Sequence, residues 1–442
     1  MISSYVDCVP SWRSLALGFL VGLFLIAPSS HGENWPSWRG PQGDSTSSER
    51  LFPTLWAKDK NIKWSIKLPE RGNGSPIVWE DRLFLSQAEE ERDLRSLMSF
   101  DREDGRLLWQ SGVRYAREEA KHETNTYCAS SPVTDGVRVY VSYASAGFYC
   151  YDFSGRELWH RNFGEHLHTW GDGSSPILYG DLCVFFHGPG PGSFLVAMDK
   201  KTGETVWKVD QPDFEAGPER EDGFNGNANG MVGSFSTPMV VDAGNREELI
   251  MTFPESIRAY DLTTGTEFWR CSGINPLIYG SPLWYERSVV AMGGFFGPMV
   301  SVKTGGHGDV TASHRNWVSG RTPHRLGTGV VSGDHLFVFD RPGFVQCIDA
   351  KSGESLWQER VRGKGANSAI WGSAVLAGGH VYVVNQSGET IVLKASSEFQ
   401  VVSINPLGDK ANTTPALSRG EIFIRTDNML WCIADLSRSA QN

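Results

Sequence analysis

A chain of 442 residues with 49 glycines, 12% aromatic and 21% charged side chains is suited to many short strands joined by tight turns, and it contains no long amphipathic helix. Its net charge of −10 argues against nucleic acid and anionic bilayers as partners, because both demand a basic face.

The first element is a leader. Arg13 precedes an uncharged apolar run from Leu15 to Ala27, followed by Pro28-Ser29-Ser30-His31-Gly32, which reads as a secretory signal over residues 1–32. The run is 13 residues long, whereas a helix needs roughly twenty to cross a bilayer core, so no stable span is expected in the mature chain. Cys8 lies before the run, where it cannot accept a lipid after cleavage. The expectation is an exported monomer of the periplasm or cell envelope.

Next comes Asn34-Trp35-Pro36-Ser37-Trp38-Arg39-Gly40-Pro41, too rich in Pro and Gly for a helix and too aromatic for a free tail. It predicts an extended strap over residues 33–60. Lys63 to Leu68 then alternates as a half-buried strand does. Its Trp64 matches the end of a repeat whose beginning is missing, so this strand is expected to complete a unit begun at the C-terminus.

From Ser75 onward the chain repeats. Ala197-Met-Asp-Lys-Lys-Thr-Gly-Glu-Thr-Val-Trp207 has near copies ending at Trp109, Trp159, Trp269 and Trp357, and self-similarity at this period signals one unit copied around or along an axis. Units open on Ser75-Pro76, Ser131-Pro132, Ser175-Pro176, Thr237-Pro238, Ser281-Pro282 and Thr414-Pro415, with Gly329-Val330 and Ser373-Ala374 in the same slot. The docking tryptophans are Trp64, Trp109, Trp159, Trp207, Trp269, Trp317 and Trp357, with a degenerate slot near Phe399 to Val401. Eight units of four antiparallel strands, the last completed by the N-terminal strand, predict an all-β eight-bladed propeller over residues 61–436, with a tail at 437–442. Each Trp offers an apolar plane to the neighbouring blade and an N–H for a carbonyl. Pro at the start of an inner strand spares a ladder donor it could not supply.

Two regions break the period: Glu215 to Ser234, a polar Gly and Asn stretch, and His307 to Trp317. Cys150, Cys347 and Cys432 sit in the repeat slot held elsewhere by Ser99, Ala197, Ala259 and Ser301, and behave there as small hydrophobes. A pair among Cys128, Cys183 and Cys271 is the disulfide that spacing leaves open.

Non-repeating polar and aromatic residues just before each inner strand are expected to ring the channel mouth and to bind a ligand or partner. They are His122 and Asn125, then His168, Trp170 and Asp172, then Asn227 and Asn229, Tyr279, His324 and Arg325, Trp371, and Asn412. His166 and His168 would share a strand face and, with His122 or Asp172, could supply metal ligands, but two loop histidines carry no such meaning alone, and no metal is assigned. Asn225 to Ser236 resembles a calcium loop that lacks its acidic first and last positions. No nucleophile elbow, Walker motif or zinc-protease motif is present, so no catalytic residue is assigned.

Ala259-Tyr-Asp261-Leu-Thr-Thr-Gly265-Thr-Glu-Phe-Trp269 resembles the tryptophan-docking repeat of the pyrroloquinoline-quinone-like (PQQ-like) propellers, over Trp64 to Asp435. Asn34 to Pro41 resembles the leader of exported bacterial members. The resemblance implies one of two activities: a dehydrogenase of alcohols or sugars holding quinone and Ca²⁺ in the funnel, with Asp172 or another channel carboxylate as base, or a non-catalytic scaffold such as the propeller subunit of the outer-membrane assembly machinery. The dehydrogenase pattern includes two adjacent cysteines, and this chain has no Cys-Cys and no Cys-x-x-Cys-His. The expectation is therefore a scaffold without cofactor that binds protein, peptide or envelope polymer, with the quinone- and calcium-dependent enzyme and a carbohydrate-binding propeller using Trp170, Tyr279 and Trp371 as alternatives.

Overall fold

A computed structural model describes residues 1, 32–212, 232–294, 296–320 and 324–439. The chain divides into Met1–His31 and a body, Gly32–Asn442. Signal-like residues 2–31 and most of the Glu215 to Ser234 stretch, with Asn227 and Asn229 and the calcium-like loop up to residue 231, lie outside the described residues.

The body is a ring of eight four-stranded blades. In blade 1 the strands are Ile77–Trp79, Arg82–Glu89, Leu94–Asp101 and Leu107–Arg114, running from the axis outward. Blades 2 to 7 follow in chain order at residues 133–161, 177–210, 239–272, 283–318, 330–360 and 375–406. Blade 8 takes three strands from residues 416–433 and its outer strand, Ile62–Lys67, from the other end of the chain. Trp64 stands opposite Cys432, so the ring closes as the repeat predicts.

The repeated residues do three connected jobs. Across the two outer strands of seven blades, the docking Trp faces the small slot directly, as in Ala197 opposite Trp207, Ser99 opposite Trp109 and Ser301 opposite Trp317. That slot is buried, and a larger side chain there would displace the indole. All six cysteines of the body are unpaired and buried, which removes the disulfide left open by the spacing.

Five of the seven docking indoles also donate to a carbonyl of the next blade, while the Trp357 N–H has no partner among the described residues. Trp64 donates to the Arg102 carbonyl at 2.8 Å, Trp109 to Phe153 at 2.9 Å, Trp207 to Leu262 at 2.8 Å and Trp317 to Ala350 at 3.1 Å. The Thr-Gly turn of that next blade lies on the ring. At Gly203 (φ +71°) a Cβ would stand 2.5 Å from Trp159, so glycine serves both the turn and the contact.

The opener hydroxyls build a belt around the axis. The amide of Ser75 donates to the Ser131 hydroxyl, Ser131 to Ser175, Ser175 to Thr237, Thr237 to Ser281, Ser281 to Thr328, Thr328 to Ser373, Ser373 to Thr414, and Thr414 back to Ser75, all at 2.8–3.1 Å. This corrects the sixth opener, which is Thr328-Gly329 and not Gly329-Val330, because the slot requires a hydroxyl more than the residue after it.

Three departures from the repeat are informative. The lengthened turn of blade 5 adds a short strand, Gly308–Asp309, parallel to the outer strand of blade 4. There Trp269 donates to the buried Glu248 carboxylate at 2.8 Å, which also pairs with Arg246 at 2.7 Å. In blade 7 the docking slot is Ser403, opposite Val392, and not Phe399 to Val401; Phe399 instead meets the Trp357 ring edge-on at 5.1 Å.

The strap supplies what blade 7 lacks. Trp56 is 1% exposed, within one apolar cluster with Tyr382 and Val392 of blade 7 and Leu417 and Phe423 of blade 8. Asn405 and Ser403 both donate to the Thr54 carbonyl, and the Trp56 amide donates to Asn405 Oδ1 at 3.1 Å. Further upstream the strap crosses the axis. Trp35 pairs with Val78 of blade 1, the Pro36 carbonyl accepts from Thr134 of blade 2, and buried Arg39 donates to the Pro282 carbonyl of blade 5 at 2.7 Å. The Trp38 indole donates to the belt hydroxyl of Thr414 at 3.0 Å.

Candidate functional site at the channel mouth

Above the belt the channel opens into a cavity of about 350 Å³, at the low end for a small-ligand pocket, with Trp38 among its walls. Of the residues expected there, His122, Asn125, Trp170, Asp172, Tyr279, His324, Trp371 and Asn412 line it, drawn from six of the eight inter-blade approaches. Residues two positions before a belt hydroxyl line the cavity in every blade, because an extended chain returns to the same face every second residue. Tyr279, Trp371 and Asn412 hold that position, and so does Phe235, which the sequence reading missed.

Two of the expected residues lie elsewhere. Arg325 follows His324 and points the opposite way, donating to Gln346 Oε1 at 2.5 Å on the flank between blades 5 and 6. Burial pushes its guanidinium down to about 10. His168 is buried behind the rim, 5.3 Å from the Phe235 ring and 5.9 Å from Trp170. Arg341 is the other wall residue that sequence reasoning missed. It comes from the turn between the second and third strands of blade 6, distant in sequence from the inner strand, and its guanidinium stands 5.9 Å over the Trp371 ring.

The rings form a connected wall. Trp170 stacks with Tyr279 at 6.2 Å and 23°, Tyr279 meets Phe235 at 5.7 Å, and His122 bridges Trp170 at 6.3 Å and Trp371 at 6.1 Å. All five are half-buried, so part of each faces open space. The amides are more occupied: Asn125 donates to the carbonyls of Trp170 and Asp172 and accepts from Thr126 and Asn73, which fixes the rim and leaves little for a ligand.

Asp172 is 6% exposed, and its Oδ2 has no hydrogen-bond partner among the described residues. Burial, then the nearby Glu119 charge, pushes its carboxyl up to about 7. His166 lies near enough to His168 for a charge there to disfavour its own protonation. Its ring lies 4.7 Å from His187, and burial first holds the two imidazoles down to about 3 and about 4. Among the described residues no three His, Cys, Asp or Glu side chains come together as metal ligands.

Comparison with known proteins places this geometry. The PQQ_2 family, described as outer membrane protein assembly factor BamB, matches at residues 45–127, 96–271 and 253–370. BamB of Yersinia pestis is 31% identical over 102 residues, 22% of this chain and 26% of that protein, so the match spans about a quarter of its length. Among solved structures, BamB of Moraxella catarrhalis superposes with a TM-score of 0.58 at 15% identity, covering 83% of this chain and 97% of the other. The quinohemoprotein alcohol dehydrogenase of Comamonas testosteroni gives 0.66 at 12% identity over 90% of this chain and 80% of its own. A europium-containing methanol dehydrogenase gives 0.64 at 10% identity over 91% and 98%. These structural likenesses carry the fold alone. With the family match covering most of the body, the chain belongs to the PQQ_2 family of β-propellers, the family described by outer membrane protein assembly factor BamB.

Proposed function

We propose that this propeller is a non-catalytic scaffold of the cell envelope, exported by its leader, whose channel-mouth face engages a protein partner. The observation that carries the reading is the chemistry of the mouth. Among the described residues its lining holds one carboxyl, Asp172, which burial pushes up to about 7, and one permanent cation, Arg341. Calcium takes six to eight oxygen ligands with several carboxylates among them, and a tricarboxylate quinone needs more than one cationic partner. The described residues do not fit that pair.

What the face does offer is a rigid aromatic wall on a β framework, the kind of surface on which interface anchors seat. Membership in the BamB family favours a protein as the partner. Two measurements test the reading. Purified protein supplied with the quinone and Ca²⁺ should give no alcohol or sugar oxidation, and turnover would overturn it. A photoreactive side chain at position 122 should cross-link one defined envelope protein, whereas the same group at Leu356, exposed on the outer strand of blade 6, should not. Equal labelling from both positions would remove the mouth from the interface.

A further inference from the structure

The belt is also chemically unfinished. Each of its eight hydroxyl oxygens accepts an amide N–H, yet among the described residues none of the eight hydroxyl hydrogens has a protein acceptor. A hydroxyl with one lone pair used still donates once and accepts once more, except Thr414, which also takes the Trp38 indole N–H and retains only its donor. Six of the eight, Ser75, Ser131, Ser175, Thr328, Ser373 and Thr414, form the lower wall of the cavity. Above them stand the half-open rings of Trp170, Tyr279 and Trp371.

This combination selects a ligand class. Donor-and-acceptor hydroxyls in a ring match a molecule whose own groups both donate and accept, and flat aromatic faces match a molecule with an apolar C–H face. A peptide main chain would instead seek a run of free backbone groups, and the belt amides are already committed to hydroxyls. Among the described residues a strongly charged ligand would meet one buried carboxyl and one guanidinium that already lies over Trp371. Trp38 and the strap cross the axis below, so a chain end fits better than a chain passing through.

We propose that the cavity at the channel mouth is a saccharide subsite that takes the neutral terminal ring, or two rings, of a glycan, with Trp170 and Tyr279 as the stacking platform and the belt hydroxyls reading its hydroxyl groups. The proposal rests on the preceding reading only in taking the mouth as the face that engages ligands, and it adds a glycan contact beside the protein one.

The test is calorimetric titration of the intact mature protein with cellobiose, maltose and N,N′-diacetylchitobiose, alongside a short lysine-containing and a short glutamate-containing peptide. At least one disaccharide should bind with a Kd of about 1 mM or tighter, and Trp170→Ala and Tyr279→Ala should each weaken it by about tenfold or more. Thermal unfolding of both variants checks that they remain folded, and the milder Ser373→Ala should reduce affinity while leaving the rings in place. Sugar binding that is unchanged in folded Trp170→Ala and Tyr279→Ala overturns the proposal. So does binding of a peptide but no sugar, which would leave the scaffold reading standing. Binding of none of the probes also overturns it, while cross-linking from position 122 reports separately on the scaffold.

Discussion

The seams between blades 3 and 4 and between blades 7 and 8 solve one packing problem with different parts of the chain. At the first, Trp207 leaves its own outer strand, lies on Gly265 of blade 4 and donates to the Leu262 carbonyl. At the second, the corresponding position is Ser403, and the indole comes from Trp56, more than three hundred residues away in sequence and held by Asn405. A wedge is what the seam demands, and the repeat is only its usual source. The N-terminal strap is thereby part of the core, with Trp35 and Trp56 both almost fully buried.

Truncating the two wedges is the strongest way to break this equivalence. Trp207→Ala and Trp56→Ala should each lower stability by about 3–5 kcal/mol, the range for deleting a large buried aromatic, as read from chemical denaturation. A loss under about 1 kcal/mol for Trp56→Ala alone would mean that the strap merely covers a seam already closed without it.

Acid should separate the seams further. Between blades 2 and 3 the His166 and His187 imidazoles are buried beside each other, with His168 also acting on His166 and Lys208 on His187. Both folded pKa values lie below the ordinary 6.5, so the unfolded chain takes up protons first as pH falls. Their neutral packing contributes fully above about pH 6.5 and is lost as pH falls towards 4 and 3, with about 2 kcal/mol gone for one such group at pH 5. Hydrogen exchange at pH 5 should rise at residues 185–187 before it rises at residues 403–405, and His187→Phe should flatten the dependence. Uniform exchange across both seams would refute this local origin.

The smallest expected effect is at the belt. Ser175→Ala removes the acceptor for the Ser131 amide and should cost about 1–3 kcal/mol, the range for leaving a buried donor unpaired. Because the belt is common to all blades, the loss should be similar for Ser281→Ala, and a large difference between the two would show that some other contact dominates.

These contrasts also explain how much the residues reveal unaided. Blade number, the seven docking tryptophans and the closing strand follow from a periodic pattern, because each docking Trp faces a small buried residue in its own blade and abuts the next. Ser403 was unreadable as a docking position because its missing bulk is replaced from the strap, which shares no period with it. Thr328 was misplaced by one residue because, without the Pro that follows most openers, the hydroxyl was the less conspicuous marker. At the mouth, Tyr279, Trp371 and Asn412 could be found by nearness to an inner strand, but that criterion ignores alternation and so admitted Arg325 with His324. Phe235 was hidden at the edge of a long irregular stretch, and Arg341 reaches the cavity only through the folded arc of blade 6.

The pairing of Trp64 with Cys432 has a consequence for how the molecule is made. The Ile62–Lys67 strand is made long before the Met429–Ile433 strand with which it pairs, so its hydrogen-bonding edge must wait. Contacts of such long sequence separation make assembly slow and leave unsatisfied strands open to wrong partners meanwhile. The assembly intermediate most at risk is therefore an arc of finished blades with one sticky end at each terminus, and whatever keeps those two ends from meeting other copies governs the yield of native protein.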